Sequence, residues 1–308
     1  MSTHTAADAA ATTSAEVRGS SRAAGGSPPP APGRGLLLRV VAKLLIWGAL
    51  TGLCIAIIYP LVWMALSGFK TNQEVFGDPF GLPGALRWEN YGRALDQGVL
   101  RYVTNSVIVT VASVLTTTLV SAWAAFGLTR VHIPFGNGVT LFILGGLMLA
   151  PTVALVPLFR LLQDLQLFNT YWALIILYTA FRVPFTTFLI RAYMIDMPLS
   201  VDEAAKIDGA THGQIFWKIT LPMCRPILVS AALLQALFAW NEFIFALAFI
   251  SDDAKKTLPV GLMSMQSRLT TDWPVVFAAL TVAALPMIIL FLIGQRQFLR
   301  GLTEGVGK

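Results

Sequence analysis

The most informative residues of this sequence lie in the polar loop between its fourth and fifth long apolar stretches. Ser200 with Glu203, and Thr211 with Gln214, have the S/T-x-x-E/Q spacing of a capping box, which predicts two short helices. Gly209 lies between them, where it is placed to end the first helix in a left-handed conformation. The sequence shows no activated nucleophile and no carboxylate pair placed for catalysis, so the loop predicts binding rather than catalysis.

The first of these helices has one face with almost no bulk. Val201, Ala204, Ala205 and Asp208 fall on one side of it at helical spacing. Small side chains on an exposed helix allow close docking into the groove of a partner protein. Pro222 is expected to end the second helix as the chain enters the next apolar stretch. The residues alone leave another interpretation open, in which both helices are amphipathic and lie on a membrane surface.

Two charges interrupt apolar stretches, Arg182 in the fourth and Glu242 in the fifth. Charges within a membrane are costly and usually face the interior of a helix bundle. Glu242 follows Trp240 and Asn241, and these three residues are the candidates for lining a substrate path. The alternative is structural, with Glu242 and Arg182 paired to each other or each bonded to a partner subunit.

Motifs for catalysis are missing from the sequence. It contains no G-x-x-x-x-G-K-[ST] phosphate loop, and the nearest string, residues 305–308, ends the chain. His4, His132 and His212 lie far apart in the sequence, so no metal site is expected. We therefore expect a protein that is not an enzyme, with no catalytic residue, metal or cofactor on this chain.

Composition points to the bilayer. Of the 308 residues, 56% are hydrophobic and 12% are charged, and the mean hydropathy is +0.69. Soluble domains are about 45–50% apolar and about 25% charged, so a soluble enzyme and a disordered chain are excluded. The net charge of +6 is scattered through the loops, so no nucleic-acid partner is expected.

An all-α membrane protein with six transmembrane helices is predicted, because a bilayer core needs about 20 apolar residues per helix. The spans are expected at residues 44–66, 103–126, 139–158, 171–192, 226–250 and 275–294. Residues 1–40, rich in Ala, Ser, Thr, Gly and Pro, are predicted to be a disordered cytoplasmic tail, and residues 41–308 the transmembrane domain.

Lysine and arginine counts predict the orientation. With the N-terminus inside, the inner segments hold thirteen of these residues and the outer segments eight, which follows the positive-inside rule. An even number of spans then places both termini in the cytoplasm. The loop between the fourth and fifth spans lies on the same side.

A longer pattern runs through this loop, at Glu203, Ala204, Ala205, Asp208, Gly209, Ala210, Leu221 and Pro222. It resembles the EAA loop of ABC importer permeases, and its Asp-Gly-Ala triplet resembles the carbohydrate branch of that family. Residues 67–76, 89–91, 240–243 and 257–261 are similar to segments of the second inner-membrane permease of the maltose-transporter type.

The resemblance implies an assembly and a set of roles. It implies a second, homologous permease, a cytoplasmic ATPase dimer that binds ATP and Mg, and an extracytoplasmic sugar-binding protein. The EAA loop would be a coupling helix: Glu203 would pair with a basic residue of the ATPase, Ala204 and Ala205 would allow close approach, and Gly209 would form the elbow. In the maltose system the main sugar-holding subunit is the other permease.

The expected function is that of a permease subunit which carries a mono- or oligosaccharide across the cell membrane into the cytoplasm. An ABC permease for a polyol phosphate or a polyamine is the alternative within the family. A stand-alone secondary transporter is a further alternative, although the two halves show no internal repeat. A membrane-anchored scaffold would not account for the pattern of the loop.

Overall fold

The computed structural model describes residues 34–266 and 271–306. Within them the chain is built from helices and connecting loops, with no strand. The α-helices are α1 (Arg34–Ser67), α2 (Asn72–Gly77), α3 (Glu89–Asp96), α4 (Val99–Arg130), α5 (Gly136–Gly145), α6 (Leu155–Asp164), α7 (Tyr171–Ile195), α8 (Leu199–Ile207), α9 (His212–Ile215), α10 (Leu221–Met223), α11 (Arg225–Asn241), α12 (Ile244–Phe249), α13 (Leu258–Ser264) and α14 (Trp273–Val306). Short 3₁₀ helices span Gly146–Met148 and Asp253–Lys255, and a π-helix spans Phe216–Thr220.

Four described helices are long and apolar enough to cross a membrane: α1, α4, α7 and α14. They correspond to the first, second, fourth and sixth predicted spans. Helices α9 to α11 form a bent pair with an angle of 77°, which would make a fifth span if counted as one. The chain is thus a multi-pass membrane protein, and the helical fold class is confirmed.

The third predicted span, residues 139–158, is not one helix. Helix α5 ends at Gly145, a 3₁₀ turn follows, and α6 begins only at Leu155. The reason lies in the intervening residues: Gly145 and Gly146 are weak helix formers, and Pro151 cannot donate a helical hydrogen bond. The prediction of a continuous helix here was wrong.

The fifth predicted span, residues 226–250, is also interrupted. Helix α11 ends at Asn241, Glu242 is extended, and α12 begins at Ile244. The Glu242 carboxylate accepts hydrogen bonds from the backbone N–H groups of Phe245 (2.8 Å) and Ala246 (3.2 Å). A carboxylate that caps a new helix start competes with continuation of the old helix, so the chain breaks at this residue.

Helices α4 and α7 pack closely through small and hydroxylated side chains, as membrane helices do where backbones approach. Thr116 and Thr179 share a hydrogen bond of 2.7 Å between their hydroxyl oxygens, and the Ser121 hydroxyl donates to the Val183 carbonyl at 3.3 Å. At Gly261 in α13, a Cβ atom would fall 2.3 Å from the Tyr102 ring, so glycine allows α13 to reach α4.

The described part of the chain divides into two units between Ala56 and Ile57. Helix α1 begins at Arg34, ahead of the predicted domain boundary at residue 41. Most of the predicted tail, residues 1–33, lies outside the described residues, and its disorder and cytoplasmic location stay predictions. The loop and the cavities that follow all belong to the second unit.

Candidate functional site

Helix α8 opens the loop between α7 and α11, but it does not begin at the predicted capping box. It starts at Leu199 after Pro198, which has φ −58° and makes no side-chain cap bond. Ser200 therefore lies inside the first turn, and the predicted Ser200–Glu203 box was wrong. Proline fixes φ near the helical value, so it can begin a helix without a capping hydroxyl.

The elbow after α8 is built as predicted. Gly209 has φ +81°, its N–H donates to the Lys206 carbonyl at 3.0 Å, and the Ala210 N–H donates to the Ala205 carbonyl at 2.9 Å. These two bonds form a Schellman motif, which ends a helix on a left-handed residue. No atom lies within 4 Å of a Cβ built on Gly209, so backbone conformation rather than space requires glycine here.

The second predicted capping box is confirmed. The Gln214 N–H donates to the Thr211 hydroxyl oxygen at 3.3 Å, and the Thr211 N–H donates to Gln214 Oε1 at 2.8 Å. The helix that follows does not end at Pro222, as expected. It passes through the π-helical segment, ends at Met223 and turns by 77° into α11. Proline fits the first turn of α10, where a missing N–H costs little.

Helix α8 exposes a strip of four residues, Glu203, Ala204, Ile207 and Asp208, which we call the α8 face. Ile207 is 86% exposed, which is unusual for an isoleucine. Ala205, predicted to share this face, is partly buried against the core instead. Leu221 and Pro222 lie at the bend beside Arg225, away from the α8 face.

A buried ion pair holds α8 to the core. Arg130, in the last turn of α4, places Nε 2.9 Å from Asp202 Oδ2, and the two side chains are only 4% and 8% exposed. The same guanidinium donates to the carbonyls of Met194 (2.9 Å) and Met197 (3.1 Å), at the end of α7. One arginine thus joins α4, α7 and α8.

Apolar packing fixes the second half of the loop. Phe216 is 1% exposed and lies between the rings of Phe126 and Trp123, at centroid distances of 5.3 and 5.9 Å. Ile215 and Ile190 belong to the same buried cluster. The loop is therefore anchored along its length, and its exposed face has a defined position relative to α4 and α7.

The three candidates for a substrate path do not line one cavity. Trp240 and Asn241 line a cavity of 620 Å³ next to α13 and α14, and Trp240 packs against Tyr102 and Leu258. Glu242 lines a different cavity of 460 Å³, which we call the α7–α11 cavity. Residues one and two positions apart on a helix lie on different faces, which accounts for the separation.

Glu242 accepts three hydrogen bonds at the edge of the α7–α11 cavity. Besides the two backbone bonds from α12, its Oε2 accepts the Tyr178 hydroxyl at 2.7 Å. Glu242 forms no ion pair with Arg182 among the described residues. The Arg182 guanidinium lies instead over the Phe238 ring, 3.8 Å from its centroid, which is a cation–π contact.

Residues 81–304 match the family described as "Binding-protein-dependent transport system inner membrane component". The chain belongs to this family. Among similar proteins, the probable ABC transporter permease protein YurM of Bacillus subtilis is 47% identical over 264 residues, covering 85% of this chain and 88% of that protein. The trehalose/maltose transport system permease protein MalG of Thermococcus litoralis is 34% identical, covering 86% and 96%.

The diacetylchitobiose uptake system permease protein NgcG of Streptomyces coelicolor is also 34% identical to this permease, covering 86% of both chains. Among solved structures, a bacterial ABC transporter involved in alginate import has a TM-score of 0.75 at 23% identity, covering 88% of this chain and 100% of that one. This likeness shows that the fold is that of an importer permease.

Sequence reasoning about this permease missed three of the residues that form its sites. Arg130 and Asp202 were not singled out, although Arg130 lies at the inner end of a predicted span and Asp202 precedes the EAA triplet. Gln235 was missed as well, and it lines the α7–α11 cavity. Its position seven residues before Glu242, on the same helical face, was the available signal.

Proposed function

We propose that this permease is one of two unlike transmembrane subunits of an ABC importer that carries a sugar into the cytoplasm. Relatives at 34% identity are named for trehalose/maltose and for diacetylchitobiose, which supports a carbohydrate substrate. In this proposal a binding protein delivers the sugar, and a separate ATPase dimer binds ATP and Mg. The two interrupted segments, α5 with α6 and α11 with α12, complete six spans, with both termini in the cytoplasm.

The observation that carries the proposal is the α8 face, an exposed strip of Ala204 and Ile207 beside two carboxylates, presented on a helix whose other side is anchored by Arg130 and Asp202. The face has the shape and charge to act as a coupling helix in a cleft of the ATPase. Glu203 would pair with a basic residue there, and Ala204 would allow close contact.

In this proposal, a movement of the loop reaches the helix bundle through the contacts of Arg130. A movement of α8 would be passed to the inner ends of α4 and α7, because Arg130 bonds to both Asp202 and the Met194 carbonyl. ATP binding must favour one arrangement of the bundle over the other for this to drive transport. Gly209 would keep the elbow at the angle that directs the α8 face towards the ATPase.

The test begins with recovery of the tagged permease and its partners from native membranes in mild detergent. Glu203→Ala and Gly209→Val should lower stimulation of ATP hydrolysis by the binding protein at least about tenfold, since each removes an interaction with the ATPase or misplaces it. Glu89→Ala, a change at an exposed glutamate of α3, is the matched control and should keep full stimulation.

The substrate is tested by uptake of labelled maltose, trehalose, diacetylchitobiose, a uronic acid, glycerol phosphate and spermidine into vesicles. ATP-dependent uptake of one of the sugars supports the proposal. Uptake of only glycerol phosphate or only spermidine would assign the permease to another substrate branch of the family. Uptake that proceeds in vesicles without ATP would overturn the assignment and indicate a secondary transporter.

A further inference from the structure

We propose that the α7–α11 cavity of this subunit is a binding site for one sugar unit of the transported carbohydrate, with Arg182 and Gln235 as its hydrogen-bond donors. The inference rests on the proposed function. It assigns a sugar-holding role to this subunit itself, rather than to its partner permease alone.

Two interruptions of the helical backbone meet at this cavity. One is the break at Glu242, and the other is the stretch 146–152, which contributes Leu149, Pro151 and Thr152 to the lining. Irregular backbone within a membrane is tolerated only where it is buried in protein or lines a water-filled cavity. In transporters, discontinuous helices of this kind form the substrate sites.

Two helical faces supply most of the remaining lining, and Ile244 and Phe245 of α12 complete it. Helix α7 contributes Tyr178, Phe181, Arg182 and Phe185, and α11 contributes Gln235, Phe238 and Ala239 ahead of Glu242. Each set is spaced i, i+3, i+4 and i+7, so each forms a single stripe on its helix. The volume of 460 Å³ lies within the range of about 300–1,000 Å³ that small-molecule sites occupy.

Two side chains of the cavity offer donors to a ligand, Gln235 and Arg182. Gln235 is 2% exposed, and its Nε2 has no hydrogen-bond partner among the described residues. Arg182 makes the contact with the Phe238 ring but no ion pair in the described part of the chain. Glu242 lies near Arg182 but forms no ion pair with it, and its two oxygens accept three bonds from Tyr178, Phe245 and Ala246.

A ligand that matches this lining must offer acceptor oxygens on one side and an apolar face on the other. A sugar unit does so, because its hydroxyl oxygens accept from Arg182 and Gln235 while its C–H face packs on the Phe181 and Phe185 rings. A carboxylate on the sugar would also accept from Arg182. The variant Arg182→Gln distinguishes a hydroxyl acceptor from a carboxylate acceptor.

The first test measures uptake, with the full complex, of whichever sugar the wild-type chain imports. Arg182→Met should lower the maximal rate about tenfold or more and Gln235→Leu about threefold or more, as loss of charged and neutral hydrogen bonds predicts. The KM should not change, because the binding protein sets it. Arg182→Gln separates the acceptors: a hydroxyl ligand keeps most of the rate, and a carboxylate ligand loses it.

The second test detects occupancy directly. Thr152→Cys, in a chain carrying Cys54→Ser, is treated with N-ethylmaleimide in the purified complex; Cys224 is fully buried. The imported sugar should slow labelling at position 152 at least about fivefold, as occupancy of a lining position requires. It should leave labelling of the matched Thr104→Cys control, at an exposed threonine on α4, unchanged.

Unchanged uptake in both Arg182→Met and Gln235→Leu, or equal labelling at position 152 with and without sugar, would overturn the site while leaving the importer assignment intact. Loss of the second permease from the purified Arg182→Met complex would also overturn it, by showing that the partner subunit fills the cavity. If the wild-type chain imports no sugar at all, the proposed function fails first, and the site fails with it.

Discussion

The loop at α8 and the α7–α11 cavity each contain an arginine, and the two arginines have different partners. At the loop, Arg130 is buried with a carboxylate and two carbonyls around it, and the helix ends are closed by the elbow and the Thr211 cap. In the cavity, Arg182 lies over an aromatic ring and near the charge of Glu242 without an ion pair, and Gln235 Nε2 has no hydrogen-bond partner among the described residues. The arginine of the loop is thus held by an ion pair and two carbonyls of this chain, whereas the arginine of the cavity has no ion pair among the described residues.

This difference suits the α8 loop to a rigid role and the α7–α11 cavity to binding a ligand. A buried arginine that pairs with Asp202 and bonds to two carbonyls joins three helices, which suits a segment that passes motion between subunits. A buried donor without a partner is costly, and a ligand that accepts a hydrogen bond from Gln235 Nε2 would offset that cost. The same residue type, arginine, therefore has a structural task in one region and a binding task in the other.

Breaking the ion pair of the loop should have the largest effect. Arg130→Ala should destabilise the attachment of α8 by about 3–5 kcal/mol, since it leaves the Asp202 carboxylate buried without a partner. We expect loss of binding-protein-stimulated ATP hydrolysis and a lower melting temperature of the purified complex. The exchange Arg130→Asp with Asp202→Arg should recover part of both.

Arg93→Ala is the control for this change. Arg93 pairs with Asp272 at 2.5 Å, but the two side chains are 52% and 36% exposed. Exposed pairs contribute about 0–1 kcal/mol, so melting and stimulation should stay near the wild-type values. Equal effects of Arg93→Ala and Arg130→Ala would contradict the contrast between a buried, tightly fixed loop and an exposed surface.

A smaller effect is expected at the edge of the cavity. Glu242→Gln keeps an acceptor oxygen but removes the charge that receives the Tyr178 hydroxyl and two backbone N–H groups. A hydrogen bond to a charged group contributes about 1.5–3 kcal/mol, so the transport rate should fall while the complex still assembles. Uptake and recovery of the partner subunits are measured on the same preparation. Failure of assembly would show that Glu242 is structural and not part of a substrate path.

The smallest effect is expected in the exposed loop after α12. A hydrogen bond from Lys256, followed by one from Tyr102 and the charge of Arg101, lowers the pKa of Asp253 below its ordinary value. A lowered pKa in the folded state adds stability above the ordinary carboxyl pKa, and this contribution is lost as pH falls through the folded value. Melting temperatures of wild type and Asp253→Asn should therefore differ slightly at pH 7 and converge in acid. A difference in melting temperature that widens in acid would contradict the expected direction of this pH dependence.

The sequence predicted the features that depend on local spacing. The elbow at Gly209 and the Thr211–Gln214 cap follow from neighbouring residues, because both are closed by hydrogen bonds within a few positions of the chain. The long apolar helices α4 and α7 were predicted within a few residues of their ends, since their length and hydropathy leave little alternative in a bilayer.

The predictions were wrong where a contact to a distant residue, or a contact that competes with helical hydrogen bonds, decides the local structure. Apolar composition favoured a continuous helix across Glu242, but its carboxylate captures the backbone of α12 and receives the hydroxyl of Tyr178, 64 positions away. Between α5 and α6, Gly146 and Pro151 interrupt the helix although the segment is apolar enough for a span.

By itself the sequence determined that this is a helical membrane protein with an importer-type loop, because hydropathy, caps and the EAA pattern are properties of short stretches. Only the tertiary structure decided which charges meet. It paired Arg130 with Asp202 and left Arg182 beside a cavity, although both are arginines at the ends or middle of apolar helices. The physical reason is that the energy of a buried charge depends on groups brought to it by packing, and packing joins residues that no local pattern connects.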